Sequence, residues 1–576
     1  MRQEMKKYFI RKLKSWLPLN NFMTNSKLLF GFLFMPVLLF GQGNFTGNIE
    51  STFQYLNADS IIGANQPPSK GLLNSYMNVF YTNGGFKAGM RLESYLPRIQ
   101  GYPNRFDGTG IGMRYIGYSN DFVDVTLGSF YEQFGSGLSF RAYEDRALGY
   151  DNLMDGARVL LRPKKGVLIK GVYGYQRLSF QKGQLIYSEG IVRGIDAEIH
   201  FNETFKKLEN FPLDMVLGGS FVSKYQADDD DALILPENVG AYGARAKLRY
   251  KNFYLDGEYI IKEQDPSNDN NKIYNYGHAA VFNLSYTQKG LGILLSGKSV
   301  DNMSFRSDRN KDLQDAFINY LPALNKTHTY NLVATLYPYA TQPMGEVAFQ
   351  ADVLYTFKKK SRLGGKYGTT IGGNFSTTYR PMQHTSTINP LDSTGVTYTT
   401  GLFDMSDSLY WQDINLSISK KISPKFSAIL SYYNIKINND VAKISNDAQG
   451  IINAHIAVFE GAFKINTKHS IRAEIQGLMV EKQDGKIHDK GNWLTALVEY
   501  SVSPAWFFSF MNQYNYGNPV ASKRVNYPIL TCGYIKEATR LTFSYGRQRA
   551  GLFCVGGVCR FVPANNGLTF SFTQSF

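Results

Sequence analysis

From about residue 44 to its end, the chain repeats one pattern: segments in which apolar residues occupy every second position, separated by turn residues. In Phe86 to Tyr95, Phe86, Ala88, Met90 and Leu92 share one parity, while Lys87, Gly89, Arg91 and Glu93 take the other. In Val347 to Phe357, Val347, Phe349, Ala351, Val353, Tyr355 and Phe357 oppose Gln350 and Asp352. In Ile471 to Met479, Ile471, Ala473, Ile475 and Met479 oppose Arg472, Glu474 and Gln476. Successive strand residues point to opposite faces, so each segment predicts an amphipathic β-strand. The length, roughly 9–11 residues, is what a tilted strand needs to cross a bilayer. No helical periodicity competes with it.

The connections sharpen the prediction. Short ones fall at 82–85, 119–121, 163–166, 251–252, 287–290, 421–424, 466–468 and 503–504. Long ones fall at 58–70, 96–108, 131–154, 223–240, 263–275, 380–406, 438–449 and 548–565. Outer-membrane barrels have short periplasmic turns and long extracellular loops. A β-sandwich has no reason to keep such an alternation. The expected fold is therefore all-β: a single transmembrane antiparallel β-barrel over residues 42–576, with both chain ends at the periplasmic rim. Some 25 strands are evident in the sequence. An even total, and a change of phase between 300 and 345, predict one more inside 302–324, near Asp315 to Leu321. That gives about 26 strands, within a range of 24–26.

The last segment, Asn566 to Phe576, places Leu568, Phe570, Phe572 and Phe576 on one face and Thr569, Ser571, Thr573 and Ser575 on the other. A final amphipathic strand ending on phenylalanine resembles the C-terminal sorting signal of Gram-negative outer-membrane barrels. That resemblance implies recognition by the barrel-assembly machinery. At the other end, Leu28 to Phe40 is a 13-residue apolar run after basic residues, too short to span a bilayer as a helix. It reads as the core of a secretory signal peptide covering residues 1–41, with Met23 as an alternative start.

Composition fits this frame. The chain has 576 residues, 14% aromatic, 54 glycines and a mean hydropathy of −0.27. A mildly polar average is what strand alternation produces, and no run of about 20 apolar residues predicts a membrane helix. The net charge is +15. The first 41 residues hold seven Lys/Arg against one Glu, which leaves +9 spread along strands and turns. No Lys/Arg tract with interleaved aromatics points to nucleic acid. The seven histidines are scattered, and no G-x-S-x-G, H-E-x-x-H or P-loop spacing occurs.

Four stretches carry candidate chemistry. Residues 131–158 concentrate Arg141, Glu144, Asp145, Arg146, Asp151 and Asp155 with several aromatics. The loop either folds into the lumen as a constriction or stays outside, held by its own ion pairs. Phe134, Leu138, Phe140, Tyr143 and Tyr150 favour the inward fold, since otherwise they face water. Around the turn Lys251-Asn252, pairing sets Lys247 opposite Asp256 and Arg245 opposite Glu258. These are lumen-facing ion pairs that either brace the wall or line a path for solute; balanced signs favour bracing. Asp228, Asp229, Asp230 and Asp231 form a solvated acidic loop tip, with Ca²⁺ binding as the alternative. Cys554-Val-Gly-Gly-Val-Cys559 predicts a tight hairpin that sets Cys554 opposite Cys559, for a disulfide rather than a metal, leaving Cys532 free.

The motifs T-N-G-G-F, Y-E-Q-F-G-S-G-L-S-F-R-A-Y-E-D, L-G-Y-D-N-x-x-D-G-A-R and Y-G-R-Q-R-A-G-L-F-C-V-G-G-V-C-R-F-V-P-A together resemble an uncharacterised family of Bacteroidota outer-membrane barrels. That resemblance implies location and fold but no activity. The leading functional expectation is a channel for solutes with loop 131–154 at its constriction. The alternatives are a non-conducting structural or assembly barrel in a multi-protein complex, and an outer-membrane hydrolase. Lipid and lipopolysaccharide are the expected surroundings, and no cofactor is expected beyond the possible Ca²⁺.

Overall fold

In the computed structural model, the described residues are 43–312, 314–385, 398–438, 440, 450–481, 491–556 and 558–576. The signal-peptide reading of residues 1–41 lies outside them. The strands are β1 Asn44–Asn57, β2 Gly71–Asn83, β3 Phe86–Tyr95, β4 Gly108–Ser119, β5 Val123–Phe130, β6 Met154–Lys164, β7 Val167–Gln181 and β8 Gln184–His200. Next come β9 Leu213–Tyr225, β10 Asn238–Tyr250, β11 Phe253–Lys262, β12 Gly277–Gln288, β13 Leu291–Asp301, β14 Gly345–Phe357, β15 Thr369–Thr385 and β16 Tyr398–Lys421. The series ends with β17 Phe426–Asn438, β18 Ile451–Lys464, β19 His469–Val480, β20 Trp493–Val502, β21 Trp506–Tyr514, β22 Asn526–Lys536, β23 Thr539–Gln548 and β24 Asn565–Ser575. Each strand pairs antiparallel with its neighbours in the chain, and β24 pairs with both β23 and β1, from Asn48↔Ser575 to Asn57↔Asn566. The result is a closed 24-stranded barrel.

The wall is inside-out relative to a soluble protein. On β3, Phe86, Met90 and Leu92 are exposed, whereas Arg91 and Glu93 are buried in the interior. Val353 and Tyr355 on β14, and Ile475 and Met479 on β19, are likewise exposed. Aromatics cluster outside beside the short turns: Tyr118, Phe122, Tyr250, Phe253, Phe463 and Trp506 are all exposed there. An outward apolar band edged by aromatic rings is how a barrel meets lipid. The closing strand follows the same rule, since Phe570 stacks on the outward Phe543 at 4.5 Å while Ser571 faces Thr52 at 3.3 Å.

The strand count corrects the expectation of 26. Residues 302–344 form one long connection whose only strand-like contact among the described residues is an isolated bridge between Arg306 and Phe317. Connection length misleads about side at three places. The β7–β8 turn at the long-loop end is only Lys182-Gly183, both with positive φ (51° and 77°), the geometry of a tight hairpin turn. Conversely, the β8–β9 and β14–β15 connections at the short-turn end are extended, the first by a helical turn at Phe201–Thr204.

The interior is filled in its long-loop half. Phe134, Leu138 and Phe140 of loop 131–153, with Met303, Phe305 and Ile318 of loop 302–344, are fully buried against inward Val192, Val222, Ile260 and Val300. Farther along the second loop, Leu332, Val333 and Leu336 of the short helix Asn331–Leu336 pack on the opposite wall, against Trp411, Ile435, Ala454, Ile456 and Leu478. Loop 302–344 thus crosses the lumen from the β8–β13 side to the β16–β19 side.

Candidate functional site

The two loops bind each other as well as the wall. The Arg141 N–H donates to the Ile318 carbonyl at 2.8 Å, and the Tyr320 N–H to that of Gly137 at 2.9 Å. The Asn152 amide donates to the carbonyls of Arg141 and Phe317 at 2.9 and 3.0 Å. The Arg141 guanidinium lies between the Tyr143 and Tyr320 rings, 4.2 and 4.1 Å from their centroids, a cation–π sandwich. The loops therefore form one plug.

A charged latch fixes the plug to β3 and β7. Arg91 donates to Glu93 at 2.8 Å, to Glu144 at 2.9 Å and to Asp151 at 2.8 Å. Arg177 donates to Glu93 at 2.7 Å and to Asp151 at 2.7 Å. The Tyr95 and Tyr131 hydroxyls donate to Glu93 and Asp151 at 2.9 and 3.0 Å. Arg91, Glu93 and Arg177 are at most 2% exposed, so every charge must be matched within the cluster. An outer shell follows: Arg146 bridges Glu144 at 2.9 Å and Glu50 of β1 at 2.6 Å, and covers the Tyr76 ring. Burial, together with the neighbouring Asp151 charge, raises the Glu144 carboxyl above the ordinary carboxylate range despite its two arginines.

The six charged residues singled out in 131–158 take separate roles. Glu144, Arg146 and Asp151 belong to the latch and Arg141 to the tyrosine sandwich. Asp145 caps the Leu148 N–H at 3.0 Å, and Asp155 on β6 faces Tyr187 and, at 3.3 Å, Arg114. Arg91, Glu93 and Arg177 were not singled out by sequence. Arg91 and Glu93 were visible as polar-face residues of one strand, but nothing local showed that Arg177, 84 residues from Glu93, shares their site.

Below the plug, toward the short turns, the lumen is charged and partly open. Lys87 and Arg158 hold Asp124 at 2.8 and 2.9 Å, and Arg158 and Lys170 hold Glu132 at 2.6 and 2.9 Å. The β10–β11 register sets Arg245 opposite Glu258 and Lys247 opposite Asp256. The expected ion pairs are nevertheless replaced. Arg245 reaches across β9 to Asp196 and Glu198 of β8 at 2.7 and 2.8 Å, and Lys247 to Glu198 at 3.4 Å. Glu258 instead accepts the Ser136 N–H of the plug at 2.7 Å.

Asp228 and Asp230 are turned onto their own loop, capping the N–H groups of Leu235 and Leu233 at 3.1 and 3.0 Å. The described residues contain no group of three or more His, Cys, Asp or Glu side chains placed to hold a metal ion. Cys554 and Cys559 are joined in a hairpin of Gly551–Val555 and Val558–Val562, and Cys532 is free. That hairpin lies over the lumen, its tip reached by the Tyr320 hydroxyl of the plug, which donates to the Gly556 carbonyl at 2.8 Å.

A family model covers residues 23–576, nearly the whole chain including this site. The chain belongs to a family of unknown function, DUF6029. No curated protein matches it. Among solved structures, the siderophore receptor PirA of Pseudomonas aeruginosa aligns with 9% identity and a TM-score of 0.38, over 92% of this chain and 80% of the receptor. OpdK of the same organism, solved with vanillate, aligns with 12% identity and a TM-score of 0.32, over 72% and 98%. The transporter YddB of Escherichia coli gives 7% and 0.38, over 92% and 81%. At these scores the likeness carries nothing about ligand or activity.

Proposed function

We propose that this protein is an outer-membrane conduit whose lumen is held closed at rest by its own plug of loops 131–153 and 302–344. The observation that carries the reading is the contrast inside the barrel. A charged vestibule of ion pairs, led by Lys87–Asp124 and Lys170–Glu132, rises from the short-turn end and stops at the latch. A cavity of about 450 Å³ sits there, lined by Lys87, Arg91, Arg146 and Arg158. Barrels of 16–18 strands already leave an aqueous channel, so 24 strands give ample room for both plug and path. In this reading the outward apolar band meets lipid and lipopolysaccharide in a Gram-negative cell of the Bacteroidota. A cleaved signal peptide exports the chain, and β24 is the segment read by the assembly machinery.

A second reading, a non-conducting structural or assembly barrel, is favoured by one specific feature: both loops are anchored by fully buried apolar side chains rather than resting on the wall. Single-channel conductance in planar bilayers separates the two. The intact barrel is expected to show small or rare steps, and a variant lacking 134–150, shown by circular dichroism to keep its strand content, large stable ones. Silence from both folded proteins refutes the conduit and supports the structural barrel.

A further inference from the structure

Most interior arginines pair with a carboxylate, whereas the fully buried Arg309 donates to Gln226 and the Pro236 carbonyl. Arg91, Arg146, Arg158, Arg177, Arg245 and Arg306 each hold a carboxylate at 2.6–2.9 Å. Arg549 and Arg560 have no carboxylate within ion-pair distance among the described residues, and both line one cavity of about 320 Å³ beneath the disulfide hairpin. Arg549 donates only to neutral acceptors: the Gln513 amide at 3.3 Å, the Ala550 carbonyl at 3.3 Å and the Thr335 hydroxyl. Arg560 donates to the Gly101 carbonyl at 2.8 Å, while its buried Nε has no partner. Asp145, whose charge Arg560 senses, also accepts the Leu148 N–H at 3.0 Å. Burial pulls the Arg549 guanidinium down to about 10, and Arg560 is lowered for the same reason. Two desolvated cations that line one cavity without an ion-pair partner are costly unless an anion joins them.

The rest of the cavity fits a small ligand with hydroxyl groups. Gln54, Gln513, Gln548 and Asn565 supply uncharged amides, and the buried Gln100 Oε1, which has no partner, is a free acceptor. Planar guanidinium forks recognise carboxylate and phosphate oxygens in pairs. We propose that Arg549 and Arg560 form a binding site for a small oxyanion, a hydroxylated carboxylate or a phosphate, between the hairpin and the β21–β24 wall. The site stands whether or not the barrel conducts. If the barrel conducts, the site names the charge class of its solute.

Trp493 reports on the site, because the Arg549 guanidinium lies 5.7 Å from its ring. The test is a tryptophan-fluorescence titration of the refolded full barrel in zwitterionic detergent with galacturonate, inorganic phosphate and neutral galactose, at constant ionic strength. A saturable response to galacturonate or phosphate, absent with galactose and weakened at least tenfold in Arg549→Gln, is the expected result. Galacturonate alone assigns the site to sugar acids; phosphate alone assigns it to phosphate. Arg560→Gln, on the hairpin outside the barrel sheet, provides the same comparison if the first variant does not refold. No saturation by either oxyanion, equal binding of galactose, or unchanged affinity in a folded variant overturns the proposal. No step depends on conductance, so a failed channel reading and a failed site are distinguishable.

Discussion

On the β3–β7 side the plug meets the wall through guanidinium–carboxylate pairs at 2.7–2.9 Å, with Arg91, Glu93 and Arg177 almost wholly buried. On the β16–β20 side the same plug meets it through Trp411, Ile435, Ile456 and Leu478, with few charges. The two contacts do different work. Apolar burial contributes about 25 cal/mol per Å² regardless of orientation, so the second contact stabilises without defining position closely. A buried ion cluster returns little net energy after desolvation, but tolerates only one arrangement of its partners. The charged side therefore fixes where the plug sits, and the apolar side and the Phe134–Phe140 core keep it there.

Breaking the charged side alone tests this most sharply. Asp151→Ala leaves Arg91 and Arg177 short of a counter-charge and should cost about 3–5 kcal/mol, read from denaturant unfolding in detergent and from protease cutting within 131–153. On the apolar side, Trp411→Ala should also cost about 3–5 kcal/mol through the cavity it opens, yet leave loop 131–153 resistant to protease. Equal loop cleavage in both variants would erase the proposed division of labour. Removing the disulfide with C554S/C559S opens a short covalent loop, so the expected loss is about 2 kcal/mol or less. Its effect should be confined to the hairpin, as read by hydrogen exchange at 551–562.

The smallest effect concerns acid. The Glu144 carboxyl is raised by burial and by Asp151, so the folded barrel binds its proton more readily than the unfolded chain does. The stability it contributes is fully present below the ordinary carboxylate range and is lost as pH rises through the raised folded value. Glu144→Gln should accordingly flatten the dependence of the thermal midpoint on pH across that window, with little change or a slight gain at pH 7.5. A steeper profile in the variant contradicts the assigned direction.

Much of the wall was legible in the sequence, because parity is a local property. The polar face of β3, the register around Lys251-Asn252 and the amphipathic last strand all follow from period-two alternation and turn chemistry. What parity cannot give is position around the barrel. Arg177 meets Glu93 four strands away along the wall, and Arg245 reaches Asp196 two strands away, so neither pairing leaves a mark in any short window. The miscount of strands has a similar origin, since segment 302–344 is rich in apolar residues for packing inside the lumen. One signal was available. β18 carries Ile452, Ala454, Ile456 and Val458 on the face that should be polar, and such a strand half announces an interior partner.

The closing seam also sets a timetable. Thr52 and Ser571 touch across it, although 519 residues separate them in sequence. Pairings that distant form slowly, and until β24 is made, β1 has an unsatisfied edge and the sheet remains an open curtain. Both plug segments are synthesised well before that last strand. The circumference is then completed around them by the last strand, Asn565–Ser575.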